Sequence, residues 1–126
     1  MRKLLTSFAL ATIPTLALAQ QAPAITGAWD LAANIAGMPI AMKCALTQKD
    51  AVISGTCTSD QGTQTITGKV QGKDLVWQFD AAYEGQTLTV VYSGAFETAD
   101  KIVGSVDVQP MNVGGDFTAT RTRPQP

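Results

Sequence analysis

From Thr26 to Arg121 the chain runs in short stretches where apolar and polar residues alternate one for one, each closed by Gly, Asp, Asn or Pro. A period of two is the mark of β-strands with one buried and one wet face. No stretch of this region carries the i, i+3, i+4 spacing of an amphipathic helix. About eight strands follow: Thr26–Asn34, Met38–Gln48, Ala51–Ser59, Thr63–Val70, Asp74–Asp80, Thr87–Phe96, Lys101–Val108 and Gly115–Arg121. Evenly spaced short strands split by turn residues predict an all-β domain.

Alternation assigns one set of side chains inward. Trp29, Leu31, Met42, Cys44, Ile53, Ile66, Trp77, Phe79, Leu88, Tyr92, Ile102, Val106 and Phe117 belong to it, and Ile40 is assigned with them. The opposite set is largely polar, with Asp30, Lys43, Thr65, Lys69, Gln78, Thr89 and Asp107 among it. A sheet with one apolar and one solvated face must close or coil on itself. The fold class is therefore an antiparallel up-and-down barrel or a strongly coiled sheet of about eight strands. Four strands share a further pattern, Ser54-Gly55-Thr56-Cys57, Thr67-Gly68-Lys69-Val70, Ser93-Gly94-Ala95-Phe96 and Val103-Gly104-Ser105-Val106, with glycine on the inward face two residues before an apolar one. Glycine at matching places implies sharp coiling or close backbone approach, or room for large neighbours such as Trp77 and Tyr92.

Cys44 and Cys57 are the two cysteines. A two-residue turn at Asp50-Ala51 pairs Lys49 with Val52 and, counting outward, Gln48 with Ile53, Leu46 with Gly55 and Cys44 with Cys57. The register thus predicts a cross-strand disulfide on the apolar face. A redox-active pair is the competing reading, but the cysteines lack the Cys-x-x-Cys arrangement that lowers a thiol pKa, and a structural bridge is preferred.

The N-terminus has a different character. Met1-Arg2-Lys3, an apolar run from Leu4 to Leu18 and the small-residue site Ala17-Leu18-Ala19 before Gln20 form the three regions of a signal peptide. Residues 1–19 are read as that leader, 20–25 as a short lead-in, 26–121 as one barrel domain and 122–126 as a flexible tail. Export to a periplasmic or extracellular space is expected, where a disulfide persists. No later stretch approaches the roughly 20 apolar residues of a spanning helix, so no integral membrane segment is expected in the mature chain.

Charge and residue types exclude several activities. Without Arg2 and Lys3, seven basic residues face ten acidic ones, a net charge of −3. Scattered lysines in an acidic protein give no nucleic-acid footprint. The sequence contains no histidine, which removes Ser-His-Asp and Cys-His triads and most zinc sites. None of the assigned inward positions is acidic, and glycoside hydrolysis needs two carboxylates in one cleft. No enzyme activity, metal or cofactor is expected.

Gly27 and Trp29 in Thr26-Gly27-Ala28-Trp29, with Arg121 in Phe117-Thr118-Ala119-Thr120-Arg121, resemble the pattern of the calycin group, which includes lipocalins, fatty-acid-binding proteins and avidins. The resemblance implies an end closed by Gly27, Trp29 and Arg121, with the cation packed over the indole ring. Ile25-Thr26-Gly27-Ala28-Trp29, Ser54-Gly55-Thr56 and Tyr92-Ser93-Gly94 are locally similar to avidins. Yet Trp29 and Trp77 are the only tryptophans, Cys57 stands where that pattern has a binding tyrosine, and Leu88 and Val90 replace hydroxyls, so biotin is not an expected ligand. The chain is also similar to short β-domains of secreted bacterial proteins that have no settled activity.

In a calycin-like barrel four connections would gather at the open end, Asn34 to Met38, Asp60 to Gly62, Ala81 to Gln86 and Gln109 to Gly114. They carry Met38, Pro39, Tyr83, Pro110 and Met111. Apolar residues on exposed loops suggest a mouth or a contact surface. The first functional expectation is a non-enzymatic module that binds a small apolar ligand through Met38, Met42, Trp77, Tyr92 and Met111. The alternative is a structural or protein-interaction module whose barrel is filled by its own side chains.

Overall fold

The computed structural model describes residues 24–122, so the signal-peptide reading, residues 20–23 of the lead-in and residues 123–126 of the tail lie outside the described residues. Eight antiparallel strands follow one another around a closed barrel: β1 (Gly27–Ile35), β2 (Met38–Lys49), β3 (Val52–Ser59), β4 (Gly62–Gln71), β5 (Asp74–Tyr83), β6 (Gln86–Thr98), β7 (Lys101–Gln109) and β8 (Val113–Arg121). β1 pairs with β8 from Trp29↔Arg121 to Ile35↔Gly115, which leaves no free sheet edge.

Every strand shows the alternation read from the sequence, and the inward residues form one continuous apolar core. Ile40 is the exception in the assigned set, being only half-buried. The β2–β3 register is the one counted from Asp50-Ala51, with Cys44 opposite Cys57 and Leu46 opposite Gly55. Cys44 and Cys57 are disulfide-bonded, their Cα atoms 4.0 Å apart. That distance is shorter still than the roughly 4.5 Å of the closely spaced type of antiparallel pair, whose side chains face each other.

The inward glycines serve both purposes considered for them. A Cβ on Gly68 would lie 2.7 Å from Cα of Trp77, its cross-strand partner, so the bare backbone is what lets the indole lie over β4. Gly94 and Gly104 pair with each other, and a Cβ on Gly94 would come within 2.9 Å of the Phe117 ring. An aromatic residue thus packs against Gly68 and against Gly94, a device of strongly coiled sheets, whereas Gly55 is met by the backbone of Ala45 and Leu46.

Strand ends differ from the sequence reading. β5 and β6 run on to Tyr83 and Gln86, leaving Glu84-Gly85 as the turn, with both residues at positive φ. Ala36-Gly37 makes the same kind of turn between β1 and β2. Both positive φ values are those of the tight hairpin turn whose twist matches the flanking strands, so pairing continues to the tip. Tyr83 therefore sits on a strand end rather than on a loop, while Met38 opens β2 where the sequence reading began that strand.

Candidate functional site

The two ends of the barrel are built differently. At one end the lead-in folds beneath the sheet and Ile25 is driven fully into the core. The Trp29 indole Nε1 donates to Ile25 O at 2.7 Å, and Ile25 N donates to Gln48 Oε1 at 3.0 Å. The Arg121 guanidinium lies 4.4 Å from the Trp29 ring centre. It donates to Thr26 O (2.8 Å), Ala24 O (2.7 Å) and Ala99 O (3.1 Å), and through Nε to Asp100 Oδ1 (3.1 Å). Gly27, at φ 137°, leaves the space this needs, since a Cβ there would stand 2.9 Å from the guanidinium. One cation on the last strand thus holds the lead-in, the β6–β7 turn and the first tryptophan together, and this end is sealed.

Ile25 and Gln48 are members of this plug that the sequence reading left out. The signal was present, because the odd-numbered alternation of Leu31, Trp29 and Gly27 extends back to Ile25.

The opposite end carries the turns after β1, β3, β5 and β7. Its inward residues Ile35, Ile40, Ala81 and Val113 pack on the core but stay half-buried. Around them Met38, Tyr83 and Met111 are exposed, Met38 to 68%. Ile35, Ala81 and Val113 were not singled out from the sequence, since alternation gives the face of a residue but not its depth along the barrel. Among the described residues no segment folds over this end.

Between the ends lies an aromatic cluster. Trp77 stacks on Tyr92 at 5.5 Å, and Phe117 meets both rings edge-on at 5.4 and 5.1 Å. Phe79 stacks on Tyr92 from the open side at 6.0 Å. Tyr92 Oη lies 3.7 Å from Met42 Sδ. β2 and β6 face each other across the eight-stranded ring, so this contact bridges the lumen. The structure therefore brings Met42, Trp77 and Tyr92 together in the interior, with Trp77 and Tyr92 each only 1% exposed, and places Met38 and Met111 apart from them at the rim. Burial pushes the Tyr92 phenol up to about 12, so it stays a neutral hydroxyl at physiological pH.

Two shallow grooves lie on the outer wall. One, of about 580 Å³, runs along β8, β1 and β2 between Asp30, Ala32, Lys43 and Thr118, and the other, of about 370 Å³, is floored by Gly68 between Val52 and Val76. Both are wide open to solvent and carry little chemistry beyond the exposed Lys43–Asp30 pair.

A closed eight-stranded antiparallel barrel with one sealed and one apolar-rimmed end is the class that the fold and site define. No protein-family model and no curated protein sequence matches the chain. Solved structures do: a redesigned β-barrel, b11L5F_LGL, superposes with a TM-score of 0.65 at 8% identity over 78% of this chain and 91% of that one. The redesigned barrel mFAP1 bound to DFHBI has a TM-score of 0.59 at 12% identity, covering 76% and 94%. EF1p2_mFAP2b bound to DFHBI has a TM-score of 0.57 at 10% identity, covering 77% and 93%. At these identities the likeness is one of fold.

Proposed function

We propose that the chain is an exported, non-enzymatic, calycin-like barrel that takes up a small apolar ligand through its Met38–Tyr83–Met111 end. The observation that carries this is the asymmetry of the ends. One is closed by a buried isoleucine and a guanidinium with four hydrogen bonds, and the other exposes an incompletely buried apolar rim. Bare apolar surface at the mouth of a barrel is where such folds place small molecules. That two barrels of similar fold are bound to DFHBI supports the reading. The disulfide and the signal-like N-terminus support export.

A second reading is favoured by a different observation, the Met42–Tyr92 contact that bridges the lumen. If the interior never opens, the same apolar rim is a contact surface for a protein partner.

Binding of Nile red, followed by its fluorescence, separates the two. Ala81→Glu puts a charge among the half-buried rim residues, and a carboxylate facing an apolar ligand without a partner is strongly unfavourable. Ala32→Glu puts the same charge in the outer groove. The ligand reading expects saturable binding by the wild type, at least about tenfold weaker binding by Ala81→Glu, and none of this loss in Ala32→Glu. Absence of saturable binding by the folded wild type would leave the contact-surface reading.

A further inference from the structure

Within the apolar core two polar hydrogens lack a proper acceptor. The Trp77 indole Nε1, fully buried, has no hydrogen-bond partner at all. The Tyr92 hydroxyl has only the Met42 thioether at 3.7 Å, and a thioether is a weak acceptor. The other tryptophan shows the usual outcome, because Trp29 Nε1 donates to Ile25 O at 2.7 Å. Buried donors are nearly always satisfied, so an exception calls for a physical explanation. The two residues belong to one group of rings, stacked at 5.5 Å on adjacent strands.

A group that partnered both donors would have to accept and need not donate. Among the described residues no Asn, Gln, Ser, Thr, acidic or basic side chain is buried. The buried side-chain acceptors are then the Tyr92 oxygen itself and sulfur atoms. A water molecule would satisfy the two donors but bring two hydrogens of its own into a place with little to receive them, and buried waters usually make about three hydrogen bonds. A ketone, ether or ester oxygen brings lone pairs and no hydrogen. Room for it would come from one flexible residue, because Met42 is unbranched, sits on the wall opposite Tyr92 and changes rotamer easily.

We propose that the ligand class is a small, largely apolar molecule with an accepting oxygen and no hydrogen-bond donor, whose oxygen receives the Trp77 indole N–H and the Tyr92 hydroxyl as the Met42 thioether moves aside. This rests on the ligand reading given above and states what the interior selects within it. Tyr92 serves as a donor because its phenol, pushed up to about 12 by burial, keeps its proton.

The test compares 2-acetylnaphthalene with 2-ethylnaphthalene, two probes of nearly the same shape that differ in one carbonyl oxygen. Their affinity ratio is measured for the wild type, Trp77→Phe and Tyr92→Phe. The ratio is the readout because a change in cavity size affects both probes alike. The expected result is a ratio shifted toward the ketone in the wild type relative to Trp77→Phe by about five- to tenfold, with a shift in the same direction relative to Tyr92→Phe. In parallel, the two indole N–H signals of the wild type are followed by NMR, which requires no variant to fold. The ketone moves the Trp77 signal downfield, the hydrocarbon does not, and the Trp29 signal stays with both. Equal ratios in the wild type and in both variants, with an unmoved Trp77 signal, overturn the selection by oxygen while leaving apolar binding intact. Failure of both probes to bind the wild type overturns the ligand reading itself.

Discussion

Arg121→Met removes the guanidinium and keeps an apolar stem of similar reach over Trp29. The structure sets the size of the effect. Three backbone carbonyls, of Ala24, Thr26 and Ala99, lose their donor. Each such bond has a net worth of about 0.5 to 1.5 kcal/mol. The stack on Trp29 adds roughly 0.5 to 1 kcal/mol, since the site is partly exposed. The pair with Asp100 is discounted to a few tenths of a kcal/mol, because that carboxylate is more than half exposed and screened. Water reaches some of the freed carbonyls, so the expected loss is about 3 kcal/mol rather than the full sum. For a domain of this size that lowers Tm by roughly 12 to 24 °C. Urea unfolding followed by tryptophan fluorescence should show the midpoint falling at unchanged slope. Arg121→Lys should recover less than half, because one ammonium cannot span the same four acceptors. A loss below about 1 kcal/mol for Arg121→Met would refute the view that this cation holds the sealed end.

Other substitutions have defined outcomes. The double variant Cys44→Ala/Cys57→Ala should lose about 3 kcal/mol, from the loop the bridge closes across 13 residues, and still bind Nile red. Native wild type should show no reactive thiol, and a titre of two would contradict the bridge. Because the Tyr92 phenol is raised from 10.0 to about 12, the unfolded chain gives up this proton at lower pH than the folded one. Its contribution is whole below pH 10 and is lost as pH climbs from 10 to 12, by about 3 kcal/mol. Tyr92→Phe should lack that part of the alkaline decline in urea midpoints, and parallel declines in both proteins would refute the assignment. Gly104→Ala should cost more than Gly72→Ala, since a Cβ at Gly104 strikes the backbone of β6 while Gly72 faces open space.

Alternation made the fold legible because a buried face leaves no freedom about which residues point inward. The β2–β3 register could be counted from one turn, and the disulfide followed from it. The sealed end was legible through Gly27, Trp29 and Arg121, whereas Ile25 was passed over because it precedes the first paired residue. The open end was less legible, since its depth depends on how far each hairpin stays paired and how the strands tilt. Tyr83 was read as a loop residue because the tight turn at Glu84-Gly85 lets pairing run further than the apolar pattern does. The unpartnered Trp77 indole could not be read from the chain at all. It arises from β4, β5, β6 and β8 together, where Gly68, Tyr92 and Phe117 fix the ring.

Uptake through the open end is tested most directly by titrating methyl-labelled protein with 2-acetylnaphthalene and mapping the NMR shifts by residue. Saturable shifts centred on Ile35, Ile40, Ala81, Val113 and Met42, with Ile25 and the outer-wall Ala32 and Val76 unmoved, are the predicted result. Shifts centred on Ile25 or on the outer wall, or no saturable shift at all, would contradict it.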